Sequence, residues 1–173
     1  MRAPQLDAWP RPPIEGIIPQ LQPVAHVLAA ARVELPAILA RLAPDDLWAE
    51  PRGVPSLGFQ LAHLAGNIDR LFTYARGHPL SDEQRRRLTE EGAVARLRPT
   101  LPELLGRLDI VIEEAMSYLR AVAPERLLET RDIGREDRFA TILDLLSSAA
   151  EHTSRHMGEI VTTAAFLRGG GRN

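Results

Sequence analysis

Near its C-terminal end the chain reads Glu151-His152-Thr153-Ser154-Arg155-His156. On a helix, His152 and His156 stand at i and i+4 and project from one side, close enough for both imidazoles to bind one metal ion. The same two residues continue an apolar stripe, because Leu145, Ala149, His152, His156, Ile160 and Thr163 follow one another at steps of three and four. They therefore point towards a core, where imidazole nitrogens without partners would cost about 1–3 kcal/mol each. A divalent cation offers one way of satisfying them. Thr153 stands where the H-E-x-x-H zinc hydrolases carry their glutamate, so that hydrolytic machinery is absent. The paired E-x-x-H motifs of di-iron carboxylate bundles are absent too.

A third ligand candidate is His63, next to the apolar Leu64 and with Asn67 and Arg70 one and two turns further along its own face. His26 reads either as an extra ligand or as an ordinary, partly buried residue. His78 precedes Pro79 in a turn and is expected in solvent.

Four long amphipathic helices would position these residues. Residues 19–42 place Leu21, Val24, Leu28, Ala31, Leu35, Ile38 and Leu42 on one face, with Pro36 expected to kink or split the helix. Ser56 can cap a second helix with a stripe of Leu57, Leu61, Leu64, Ile68 and Leu71, stopping at Gly77. Ser81-Asp82-Glu83-Gln84 opens a short, charged helix that ends near Gly92, within a long crossover. There, Arg85-Arg86-Arg87 lies beside Asp82, Glu83, Glu90 and Glu91, which predicts a solvated face rather than a phosphate site. Thr100-Leu101-Pro102-Glu103 opens the third long helix, which carries Leu104, Leu108, Val111, Ala115, Tyr118 and Leu119 and ends before Pro124. A linker containing Gly134 follows, and Thr141 with Asp144 can start the fourth helix, which runs to about Arg168 before three glycines. With no convincing alternating strand, the pattern predicts an all-α bundle. Residues 1–18 read as an extended, proline-rich arm that Trp9 and Ile14 could pin to the body, residues 19–169 as one domain, and residues 170–173 as a tail.

Composition narrows the chemistry. The 173 residues suit one domain, and a net charge of −2 predicts no nucleic-acid partner. Without cysteine, any metal must be held by nitrogen and oxygen. All 21 residues counted as lysine or arginine are arginine, which excludes a lysine Schiff base and a GK[ST] P-loop. Residues 16–31, the longest uncharged run, contain Pro19, Gln22, Pro23 and His26 and are too short and interrupted to span a membrane. Asp7 and four prolines stand where a signal peptide needs an apolar run, so cytoplasmic residence is expected.

Two segments resemble the DinB (YfiT-like) superfamily of metal-binding four-helix bundles. They are Pro55-Ser56-Leu57-Gly58-Phe59-Gln60-Leu61-Ala62-His63-Leu64-Ala65 and Ala150-Glu151-His152-Thr153-Ser154-Arg155-His156-Met157-Gly158-Glu159-Ile160. The resemblance implies a bundle with a short extra helix in the crossover between helices two and three. It also implies that His63, His152 and His156 bind one divalent ion, nickel or zinc. Family members include transferases and isomerases that use small thiols, which implies a metal-dependent thiol transferase acting on a small electrophile. An isomerase or hydrolase is the other enzymatic reading, and a non-catalytic metal-binding or stress-response protein is the alternative class. Homodimers occur in the family, which implies a homodimer here, and a third reading has the apolar helix faces form a dimer with no metal at all.

The chain departs from the family where Met157-Gly158-Glu159 replaces the frequent x-Gly-Gln, and where Gln60 and Ser147-Ser148 stand in place of additional histidines. Glu159 is accordingly a candidate acid/base, an outer partner of the ligands, or a surface charge. Gly158 weakens the helix, and close helix approach is an expected reason for it. Asn67, Arg70 and Arg155 are candidates for binding a substrate carboxylate or supporting the ligands. The alternative is that the two arginines face water or pair with Asp69 and Glu151. Tyr74 is expected to pack against the core with its hydroxyl at the rim.

Overall fold

The structure, a computed structural model, describes residues 11–134 and 139–170. It is mostly helical, with α1 Gln22–Leu39, α2 Leu57–Ala75, α3 Asp82–Glu90, α4 Val94–Leu97, α5 Leu101–Ala121 and α6 Ile142–Arg168. Local side-chain caps set the starts of α2, α3, α5 and α6. Ser56 Oγ accepts from the Phe59 amide, and Ser81/Gln84, Thr100/Glu103 and Thr141/Asp144 each form a reciprocal capping box. Each satisfies an amide donor that the first helical turn would otherwise leave open.

The four long helices pack in a ring, α1 against α6, α6 against α2, α2 against α5 and α5 against α1. Their apolar stripes meet in one core that contains Leu28, Leu35, Leu61, Ile68, Phe72, Leu108, Ile112, Leu119 and Leu146. Burial of such side chains supplies the main driving force, about 1.5–3 kcal/mol for each fully buried one. Outside this core, Arg32 of α1 bridges to Asp109 and Glu113 of α5.

Two expectations about the backbone are corrected. Pro36 does not split α1; it lies in the last turn, where only one intrahelical bond is forfeited before the helix ends at Leu39. The stretch read as a linker after α5 contains a small antiparallel pair, β1 Thr130–Asp132 and β2 Phe139–Thr141, with Arg131 opposite Ala140. Three-residue strands are too short to show a period of two in the sequence.

Residues 11–18 lie against the body. Ile17 is buried and Ile14 packs on the core, while Gln22 Nε2 donates to the Ile14 and Ile17 carbonyls at 2.9 and 2.8 Å. Trp9 lies outside the described residues. The connection from α1 to α2 folds back so that Trp48 covers the start of α2. Gly58 is needed there, because a β-carbon at that position would sit 2.7 Å from the indole ring.

Candidate metal centre

α6 is buried along Leu145, Leu146, Ala149, Ala150 and Thr153, and again along Ile160, Thr163 and Ala164. Between these stretches the stripe opens, and His152 and His156 occupy the gap, half-buried at the rim of the core. α2 crosses the same place and contributes His63. The three rings lie 4.4–5.0 Å apart by centroid, and one ligand nitrogen from each falls within 4.8 Å of the other two. His63 Nε2 is 2.9 Å from His152 Nε2. Two nitrogens bound tetrahedrally to one ion at 2.0–2.1 Å would be about 3.3 Å apart. The His63–His152 pair is thus close to that separation, and a three-histidine cluster compatible with a metal ion is present.

The donor chemistry also fits. His63 Nδ1 is 2.9 Å from Glu91 Oε2, and a carboxylate at that position favours the tautomer with hydrogen on Nδ1. The lone pair of His63 then lies on Nε2, directed at the other two imidazoles. Glu91 Oε1 in turn accepts from Arg70 Nη1 at 3.1 Å. His156 Nδ1 is buried, with Glu159 Oε2 2.9 Å away. With both rings neutral, the facing His63 and His152 nitrogens share one hydrogen, and a cation bound between them can take its place.

Burial, reinforced by the neighbouring His156 and His63 and by Arg155 and Arg70, pushes the His152 pKa down to about 4. Burial also lowers that of His156, with His63 and Arg155 acting in the same direction and Glu159 opposing them. Burial opposes ionisation of Glu91, but the His63 hydrogen bond and the Arg70 charge outweigh it and leave its pKa below the usual value. His152 is thus neutral and ready to bind metal at pH 7. An unfolded chain takes up this proton near pH 6.5, and the folded chain only near pH 4. Stability of the metal-free protein is therefore expected to be full above pH 6.5 and to fall as the pH drops towards 4. Urea midpoints across this range check it, with His152→Gln flattening the slope.

The remaining candidates separate. Asn67 leaves its Oδ1 buried and unpaired. Arg70 pairs with Glu91 and not with Asp69, which instead accepts from Gln84 and lies 3.6 Å from Arg107. Arg155 is exposed and forms no ion pair with Glu151. Glu159, 48% exposed at its side chain, stands at the open side of the cluster. His26 is outside the cluster among the described residues: its Nε2 lies 3.0 Å from the Pro12 carbonyl, so it ties the N-terminal segment to α1. His78 is exposed, and Tyr74 packs against the core as expected.

Glu91 is the residue that sequence reasoning missed. The charge pattern places it with the solvated face of α3, yet it begins a short 3-10 turn, Glu91–Ala93, where the chain swings towards α2. Gly66 makes the approach possible, since a β-carbon there would lie 2.8 Å from Arg70 Nη1 and 3.1 Å from Glu91 Oε1. The available signal was a glycine one turn past His63 and a break in helical pairing at Gly92, both too weak to name the partner. Gly158 is also corrected. A β-carbon there would meet nothing within 4 Å, so no neighbouring helix requires the glycine.

None of the described helices is long and apolar enough to cross a membrane. The chain matches no curated protein. A family model described as the DinB superfamily matches residues 20–160, a span that includes all three clustered histidines, and the chain belongs to that superfamily.

Proposed function

We propose that this protein is a metal-dependent enzyme of the small-thiol transferase type, with His63, His152 and His156 as the ligands of one divalent ion. The working unit is residues 19–169, a four-helix bundle of α1, α2, α5 and α6 with α3 inserted in its crossover. The observation that carries the reading is the convergence of three half-buried imidazoles, one of them held in its binding tautomer by Glu91. Three neutral ligands leave net positive charge and an open position, as in catalytic rather than sealed structural sites. Imidazole suits nickel and zinc alike.

A bound divalent ion would supply Lewis acidity, lowering the pKa of a thiol or water held next to it. The chain's own residues do the rest. The Arg70–Glu91–His63 chain fixes one ligand ring. Glu159, at the open edge beside His156, accepts the proton of the incoming thiol. The sulfur forms its bond to the electrophilic carbon while the leaving group departs with the bonding electron pair and collects that proton. Asn67 Oδ1, buried and unpaired, is an acceptor available to a bound group. Arg155 keeps positive charge near His152 and His156 and so favours their neutral, ligating forms.

The test is consumption of small thiols with 1-chloro-2,4-dinitrobenzene and related acceptors by chain loaded with zinc or nickel. Turnover that needs the ion and falls at least tenfold in Glu159→Gln, with metal content unchanged, is expected. Full metal occupancy without turnover for any thiol would instead leave a non-catalytic metal-binding protein.

A further inference from the structure

A slot of 440 Å³ runs along α6 on the side of Glu159, walled by Arg52, Val54, Gly158, Glu159, Thr162 and Phe166 among others. Its size is that of a small-molecule site. Glu159 and Phe166 are seven residues apart, two helical turns, which puts about 10 Å between the two ends. At one end Glu159 touches the histidine cluster. At the other, the Arg52 guanidinium lies 5.7 Å over the centre of the Phe166 ring.

Three features indicate that the slot is built to take something. Arg52 adopts φ 53° and ψ 31°, a left-handed backbone uncommon for a residue with a side chain. Its guanidinium lies over Phe166, and Arg52 forms no ion pair among the described residues. Its ring-stacked face is occupied, while the N–H groups along its edge remain open to a carboxylate. Gly158 weakens α6 near its centre with no packing partner to explain it, and it lines the slot, so its missing side chain leaves the slot open.

We propose that this slot binds a small, elongated aromatic carboxylic acid, with its carboxylate on Arg52 and its far end delivered to Glu159 and the histidine cluster. The acid would be the acceptor substrate of the reaction proposed above. That role rests on the enzymatic reading, whereas the binding itself rests on Arg52, Gly158 and Phe166 alone. The apolar walls take the rings, and the distance between the ends suits two linked rings or a ring with a short chain. A carboxylate at the Arg52 end keeps clear of the Glu159 charge, which sets the direction of binding.

Biphenyl-4-carboxylate and its neutral counterpart biphenyl-4-carboxamide test the proposal by calorimetric titration of the full chain, both metal-loaded and after chelation. The acid is expected to bind at least tenfold more tightly than the amide in both forms, and Arg52→Gln to remove that difference. Gly158→Leu, and separately Thr162→Trp at an exposed position, should each weaken both probes at least tenfold while the melting curve stays cooperative and metal content is unchanged. Equal affinity for the two probes overturns the proposal, as does a preference that survives Arg52→Gln or binding that survives both blocking variants. A preference that disappears on chelation places the acid on the metal and overturns it as well. No binding of either probe, as when a second copy of the chain covers the slot, has the same effect. Acid preference through Arg52 in a chain that takes up no metal would keep the binding site and sink the enzymatic reading.

Discussion

Alanine in place of His152 is expected to reduce bound nickel or zinc from about one ion per chain to near zero, and His156→Ala and His63→Ala to do the same. Three imidazoles that lie within 4.8 Å of one another act as a unit, so loss of one leaves a two-ligand site with little hold on the ion. The effect extends to stability. An ion that binds only the folded chain, present at a hundredfold excess over its Kd, contributes about 2.7 kcal/mol. For a domain of this size that is roughly 5–11 °C in Tm. Wild-type protein should show this increment on metal addition, and each variant should lack it. Elemental mass spectrometry and melting curves with and without metal check both halves. A variant that keeps its ion and its increment would remove that histidine from the ligand set.

The second large effect belongs to Glu91. Its carboxylate is 16% exposed and serves both His63 Nδ1 and Arg70, itself only 12% exposed. Glu91→Gln keeps the shape and deletes the charge, leaving a guanidinium enclosed without its counter-ion. Removing one partner of a fully buried pair costs 3–5 kcal/mol, and the partial exposure here reduces the expectation to about 2–3 kcal/mol. Metal affinity should fall 10–100-fold, the usual penalty for losing a partner that orients a ligand. The two effects separate in a double variant. Adding Arg70→Met removes the stranded cation and should restore much of the stability but little of the affinity, because His63 still lacks its anchor. Urea denaturation and competitive metal titration read them independently. An unchanged metal Kd in Glu91→Gln would show that the carboxylate supports the fold alone.

The starts of α2, α3, α5 and α6 were legible because each of these caps is a bond between residues three apart. Ser56, Ser81, Thr100 and Thr141 announce their helices without reference to the rest of the chain. The His152/His156 pair was legible for the same reason, being adjacent turns of one helix. His63 was harder, since 89 residues separate it from His152 and only its neighbours and a family resemblance marked it. Glu91 could not be read, because its role depends on how the crossover folds back over α2, and nothing within a few residues encodes that path. The same holds for Arg70, whose partner is 21 residues away and not the adjacent Asp69. His26 shows the opposite error: a histidine on a core helix invites a ligand role, but its ring is used to tie down the segment before α1. For Gly158 the sequence suggests a packing role, since a glycine in a helix permits close approach, whereas the structure has open space there.

The crossover itself carries a further consequence. α3 has no buried residue, and its side chains reach the body through Gln84, which donates to Asp69 and Thr73. Glu91, directly after it, supplies the contact to the histidine cluster. The three histidines therefore ride on two core-packed helices, while the carboxylate beside His63 rides on a segment whose helix α3 buries no residue. Such a segment can detach in a sub-global opening that costs far less than unfolding the core. Each opening frees the His63 ring to change tautomer and loosens its grip on an ion. Residence time of a bound ion would then be governed by the breathing of residues 82–97, and amide exchange in this segment would report whether the centre it touches is filled.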